Sequence, residues 1–426
     1  MKRAVVLGGG GAKGSYEIGV WRALRELNVD YSIVTGSSVG ALNGAMMAQG
    51  GYEDAERMWM YLTTEDVLRI SEKKAAAAIP EPIRASKSLS RVMDGFLKTA
   101  VEHLDPSPLE RIVREKVDEA RVRSGVQFGI SATEYPSMRP AELTMEEIPE
   151  GLLADYLMAS SAFYPAMDAR EVGGSRYIDG GYNDNVPVAL ALDMGADEVV
   201  AVDMQAVGIV RPVKSDVPVR TVRCRWNLGP LMVFDPQNAV RNMALGWNDA
   251  MKSYGVYEGS AYTFINGTYA SHSSRFGALF ADMLPRVMRE QTLRLYAQSR
   301  GISSRLFERR IVTAAAEAAG EVFGVTPTQV WEATAFDEAV CAAEKRETTP
   351  LELVENVLSS SMQLEDMAAA VGKMAEGGAL ARYMAGRVGD IASSGARAAD
   401  LRVAANMLAR EFLAGLYLYA LGHAAG

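Results

Sequence analysis

The stretch Tyr31-Ser32-Ile33-Val34-Thr35-Gly36-Ser37-Ser38-Val39-Gly40-Ala41 decides the reading of this chain. Its first five residues are β-branched, aromatic and apolar enough for a short strand. From Ala41 to Ala48 the residues are small, apolar and compatible with a helix. Between the two lies Gly36-x-Ser38-x-Gly40, and glycines around a serine at a strand-to-helix turn have a mechanical use. They permit the backbone that lifts a hydroxyl off a sheet and lets a substrate approach it. The following helix turns its free N–H groups and positive dipole end toward that serine.

The elements upstream make this a βαβ unit. Ala4–Leu7 reads as a buried strand, Gly8 to Gly14 as a glycine loop, and Ser15–Leu27 as a helix with Ile18, Trp21 and Leu24 on one face. A glycine loop at a helix N-terminus offers backbone N–H groups to an anion. Gly9-x-Gly11-x-x-Gly14 also fits dinucleotide-binding spacing, but that chemistry expects an acid closing the second strand. The second strand here closes on Thr35-Gly36-Ser37-Ser38, and Asp30 lies before it. An oxyanion hole is the better reading, because both loops open at the carboxyl edge of a parallel sheet.

Composition narrows the function classes. The 426 residues are 49% hydrophobic and 23% charged, with a net charge of −9, so a chain of two or three globular domains is expected and a nucleic-acid partner is not. Cys224 and Cys341 give neither a disulfide framework nor metal-ligand spacing. With His103, His272 and His423 far apart in sequence, no metal site is expected. Only four apolar residues precede the glycines at the N-terminus, too few for a secretory signal, and no run reaches the roughly 18 apolar residues of a membrane span. A cytoplasmic bacterial protein, with peripheral membrane contact as an option, is the expectation.

Further along, helices are expected over Tyr52–Arg69 and Pro108–Arg121 and a strand over Gly125–Thr133. Glu72–Ser90, carrying Lys73, Lys74, Pro80 and Pro82, reads as a connection over the site with a lid as one option. Asp179 ends a strand and is followed by Gly180 and Gly181, so its carboxylate is approachable; taken alone, a plain Asp-Gly turn is the better reading. Asn185 and Pro187 read as the start of the next helix, Gly195 as its end, and Glu198–Gln205 as a buried strand.

In that order, Gly9-Gly10-Gly11-Ala12-Lys13-Gly14, Gly36-Ser37-Ser38-Val39-Gly40 and Asp179-Gly180-Gly181 resemble the three signatures of patatin-like phospholipases. Ala159–Pro165 and Asn185-x-Pro187 resemble that family too, and the likeness covers roughly residues 1–206. The resemblance implies an α/β fold, a three-layer α/β/α sandwich, and lipid acyl hydrolysis without metal or cofactor. It implies Ser38 as nucleophile, Asp179 as its base, the Gly10 and Gly11 amides as oxyanion hole, and Lys13 in the basic position of the loop. Gly9, Gly14, Gly36, Gly40, Gly180 and Gly181 support these motifs.

The expected organisation is a catalytic domain at 1–206, an extension at 207–270 packing on it, and a helical domain at 271–426. Breaks near Gly301, Gly324–Pro327, Pro350, Gly377-Gly378 and Gly395 punctuate the last of these. Its final segment, Leu401–Leu421, ends in an aromatic and leucine stripe. Such a stripe is usually bundle core, with homo-oligomer formation or membrane docking as the other options. The substrate class is a lipid or other carboxylic ester. The alternative is a patatin-like module switched on by a partner through the helical domain. One further alternative concerns the base. Ala270-Ser271-His272-Ser273-Ser274 looks like a polar loop that would have to supply the histidine of a triad if Asp179 did not act directly.

Overall fold

The computed structural model describes residues 1–70, 103–284, 286–299, 311–352, 354, 378–394, 406 and 408–424. The chain divides into two compact units, Met1–Tyr254 and Gly255–Gly426. Residues 207–254 thus fall in the first unit and 255–270 in the second. The expected connection Glu72–Ser90 and the breaks near Gly301, Gly377 and Gly395 lie outside the described residues.

The first unit is built on an eight-stranded mixed sheet. Its strands are β1 (Arg3–Leu7), β2 (Ile33–Ser37), β3 (Gln127–Tyr135), β4 (Pro140–Thr144), β5 (Arg170–Val172), β6 (Ser175–Asp179), β7 (Glu198–Asp203) and β8 (Val219–Arg223). The order is β8-β7-β1-β2-β3-β6-β5, with β4 pairing to β3. The five strands from β8 to β3 run parallel, and β4, β5 and β6 add antiparallel pairs. β2 is buried along its whole length and β1 from Ala4 to Leu7, as strands covered on both faces are.

Helices cover both faces. On one side Ala4, Val6, Ile33, Val199 and Ala201 pack against Val186, Val188 and Ala191, around helix α6 below. On the other, Gly44 of α2 (Val39–Ala48) rests on Val34 and Phe128. The remaining helices that bear on the site are α1 (Ser15–Glu26), α3 (Tyr52–Tyr61), α4 (Ser107–Lys116), α5 (Leu153–Ser160), α6 (Val188–Asp193) and α7 (Pro236–Ser253). Two helices are shorter than their sequence patterns imply. The one expected over Tyr52–Arg69 stops at Tyr61, and Thr63 then caps a new four-residue turn through a capping box with Asp66. The one expected over Pro108–Arg121 ends at Lys116, and Asp118 caps a fresh helix at Glu119.

One feature of the register positions everything that follows. Residues 129–131 of β3 pair with β2 on one side and β4 on the other, while 132 and 133 pair with β4 and β6. Therefore β2 and β6 lie on the same side of β3 and run toward each other. Ser37 pairs with Ser131 and Asp179 with Ala132, so the two strand ends meet at consecutive residues.

In the second unit, β9 (Tyr257–Glu258), β10 (Thr263–Ile265) and β11 (Val330–Trp331) form a small sheet. The rest of its described residues are mainly helical: α8 (Thr268–Met283), α9 (Arg286–Ser299), α10 (Ile311–Val322), α11 (Ala333–Glu344), α12 (Ala379–Ser394) and α13 (Ala409–Ala424). Phe412, Leu413, Leu416 and Tyr417 of α13 are buried in this unit's interior. The stretch 270–274, expected as a loop, lies inside α8.

Candidate active site

The turn from β2 to α2 holds Ser38 at φ 53° and ψ −129°, a left-handed conformation that L-residues adopt at a cost of about 1–3 kcal/mol. The surroundings hold it there. The Ser38 N–H donates to Ser160 Oγ at 2.9 Å, and that hydroxyl donates to the Ser131 carbonyl at 2.7 Å. The Ser38 carbonyl accepts from the Ala41 N–H at 2.9 Å, starting α2. Gly36 and Gly40 face each other across the turn. Ser160 ends α5 and is wholly buried. The sequence reading placed it in a family-like stretch without giving it a task.

Asp179 closes β6 at 3% exposure, opposite Ala132. Its Oδ1 accepts the Gly181 N–H at 2.8 Å, and the Ser38 hydroxyl is within hydrogen-bonding reach of the carboxylate. Burial pushes this carboxyl from 3.8 up to about 6, while the hydrogen bonds from Ser38 and Gly181 pull the other way. Gly180 has no room for a side chain, because a methyl there would run into the Ser131 carbonyl and Ser37 Oγ. The two strand ends approach this closely only with glycine at that position.

The glycine loop is tied down on either side of its centre. Gly8 N–H donates to the Val202 carbonyl at 3.2 Å, Gly9 N–H to the Asn185 carbonyl at 2.9 Å, and Ala12 N–H to the Leu231 carbonyl at 2.8 Å. Asn185 Nδ2 returns a bond to the Gly9 carbonyl at 3.2 Å. Among the described residues, no backbone acceptor takes the Gly10 or Gly11 N–H. Gly11 sits at φ 55° with the Leu231 carbonyl against the place a side chain would occupy. Gly14 ends the 3₁₀ turn that begins at Gly11 and abuts Val39 at the start of α2.

Gly10, Gly11, Ser38 and Asp179 all line one cavity of about 960 Å³, open mouth included. From them it continues as an apolar channel between α2, α3 and α4, walled by Leu42, Met46, Met58, Trp59, Ile112 and Val113. Lys13, placed by the sequence reading in the basic position of the loop, does not line this cavity. It is half-buried in a separate polar cleft with Gln205, Cys224, Arg225 and Asn227. Desolvation there lowers its ammonium from the ordinary lysine value.

The histidines have other engagements. His272 is 1% exposed within the second unit, its Nε2 3.2 Å from Asp337 Oδ1 and 3.1 Å from the Tyr417 hydroxyl, which also donates to Asp337. His103 is buried near Asp168, and His423 packs on Tyr419 one turn away.

The family model for patatin-like phospholipases matches residues 5–192. The chain is 29% identical over half its length to 10% of a lysophospholipase, NTE1, from Mycosarcoma maydis. It is 30% identical over 47% of its length to 48% of an uncharacterized NTE family protein of Mycobacterium tuberculosis. It thus spans less than half of these curated relatives. VipD from Legionella pneumophila, a solved structure, aligns with 99% of this chain and 91% of its own at 14% identity and a TM-score of 0.37.

Proposed function

Since residues 5–192 place this chain in the patatin-like phospholipase family, we propose that its first unit is a serine acyl hydrolase working through a Ser38–Asp179 dyad. In this reading Asp179, ionised, accepts the Ser38 proton as Ser38 Oγ attacks an ester carbonyl. The developing oxyanion is held by the Gly10 and Gly11 N–H groups, with the N-terminus of α2 adding its dipole. Asp179 then passes the proton to the leaving alcohol. A water, deprotonated by the same carboxylate, releases the acyl group and restores Ser38.

The observation that carries the reading is the head-on meeting of β2 and β6 along one edge of β3. It sets a serine in a strained turn beside a buried carboxyl, on the wall of a cavity that two amides also line, and no backbone acceptor among the described residues takes those amides. A carboxylate serves in place of imidazole when partial dehydration raises its basicity, and burial does this at Asp179. The channel walled by Leu42, Met46, Met58 and Trp59 suits a single acyl chain. A lysophospholipid or medium-chain ester is the substrate class this favours, in line with the lysophospholipase among the relatives.

The test is a panel of short-chain esters, lysophospholipids and phospholipids given to purified wild type and Ser38→Ala, with a fluorophosphonate probe alongside. Wild type should be labelled at Ser38 and hydrolyse at least one lipid ester, with rates rising about fourfold per methylene buried in the channel. Ser38→Ala should be unlabelled and inactive. Labelling at another serine refutes the assignment. For the loop, Gly10→Ala is the informative change, since its added methyl is crowded by the flexible end of Met204 and otherwise meets Ala206 and Lys13 at ordinary contact distance. Gly11→Ala would distort the backbone itself. Loss of one oxyanion donor's alignment typically costs about 10²–10³ in rate.

A further inference from the structure

A buried polar knot lies between the glycine loop and the Ser38 helix, and the chemistry above makes no use of it. Asn43, five residues after Ser38 on α2, is 2% exposed. Its Nδ2 donates to the Gly14 carbonyl at 3.0 Å and to Glu17 Oε2 at 2.8 Å, and its Oδ1 accepts the Trp59 indole N–H at 3.0 Å. The orientation of this amide is dictated by its partners, because an indole N–H only donates and a carbonyl only accepts. Glu17, on α1, is 1% exposed, and its Oε1 has no hydrogen-bond partner among the described residues. Burial favours its protonated form and outweighs the opposing bond from Asn43.

Keeping an amide and a carboxyl dry is costly, and two apolar side chains would fill the same space without that cost. What the polar pair supplies is geometry. One amide ties together the end of the 3₁₀ turn begun by Gly11, the helix begun by Ser38, and a wall of the acyl channel. Trp59 lines that channel and stacks on Phe234 at 6.0 Å between ring centroids. We propose that Asn43, oriented by Glu17, is the positioning residue that sets the spacing between Ser38 and the Gly10 and Gly11 amides. The inference rests on the catalytic reading of those three residues. Misplacement of reacting groups by about 1 Å is enough to cost on the order of 10² in rate.

The experiment uses the full-length protein with Asn43→Ala, Asn43→Asp, Glu17→Ala and Glu17→Gln. It reads kcat and KM on one soluble p-nitrophenyl ester, the rate of fluorophosphonate labelling, and the unfolding temperature. Asn43→Ala and Glu17→Ala should lower kcat about 10–100-fold and slow labelling in parallel, while KM stays within about threefold. Asn43→Asp cannot donate to the Gly14 carbonyl as an ionised side chain and should resemble Asn43→Ala. Glu17→Gln retains an acceptor for Asn43 and should recover most of kcat. A purely structural role predicts a lower unfolding temperature with kcat unchanged in the folded protein, and that result overturns the proposal. Should Asn43→Ala fail to fold, the Glu17 pair decides alone: equal kcat in Glu17→Gln and Glu17→Ala refutes it. Wild type that hydrolyses no ester and takes no label removes the catalytic reading, and this inference falls with it.

Discussion

Replacing Asp179 by asparagine should remove activity and raise stability together. The carboxyl is buried, and burial lifts it from 3.8 to about 6. That rise corresponds to about 3 kcal/mol spent in holding the carboxylate ionised in the folded protein at pH 7. The unfolded chain gives up this proton near 3.8 and the folded chain near 6, so between those values the folded chain binds more protons. Stability therefore falls as pH rises through that window, and the cost is complete above it. Asparagine carries no such cost, and its Oδ1 keeps the bond from the Gly181 N–H while its amide group can donate to the Ser38 hydroxyl. At pH 7 the variant should gain up to about 3 kcal/mol, or about 6–12 °C in the unfolding transition of the first unit. Thermal unfolding followed by circular dichroism, for both proteins between about pH 4 and 8, measures the gap. It should be widest at and above neutrality and close toward acid. A variant no more stable than wild type at pH 7, or a gap that does not change with pH, refutes the account of Asp179 as a dry, ionised base.

The same carboxyl sets the rate profile. kcat/KM on a soluble ester should plateau above neutrality and fall to about a tenth of the plateau at pH 5, measured across a buffer series on an uncharged substrate. Ser160→Ala leaves the Ser38 N–H and the Ser131 carbonyl buried without their partner. It should cost about 1–3 kcal/mol in denaturant unfolding and slow fluorophosphonate labelling. Joint replacement of His103, His272 and His423 by Gln or Asn should leave ester hydrolysis largely intact at low temperature. The loss of His272, with its Asp337 and Tyr417 partners, should lower the melting of the second unit, visible by calorimetry.

Local chemistry made part of this legible in the sequence. The Gly36-Ser37-Ser38-Val39-Gly40 turn and the Gly8–Gly14 loop declare themselves through glycine spacing between apolar runs, and both stand where expected. The contact between Ser38 and Asp179 is a matter of register between β2, β3 and β6, which depends on residues nearly a hundred positions apart. Strand β8 escaped notice because the arginines of Val219–Arg223 stand three apart, which breaks a strand's alternation, and because it lies at the sheet edge, where one side of the strand is unpaired. His272 looked like a loop residue because serines surround it. Its buried neighbours Tyr269, Phe276 and Phe280 recur at helical spacing, and that longer pattern was the better guide. Asn43 had a signal too, as a polar residue amid the small apolar positions of α2. The direction of Lys13, by contrast, follows from the packing of 224–228 and has no counterpart in its own motif.

The place of β1 has a consequence for biosynthesis. Ala4–Leu7 pairs on one side with residues 33–36 and on the other with 199–202. At typical elongation rates of about 5–20 residues per second, the second partner leaves the ribosome roughly 10–40 s after β1 does. Throughout that interval a nascent chain that has already joined β1 to β2 carries an apolar strand with one bare edge, the kind of surface to which other chains add. Until Glu198–Asp203 emerges, that edge has no partner from its own chain. Because Asp179 is translated only shortly before that point, a nascent chain that is still open to misassociation is also one without its base.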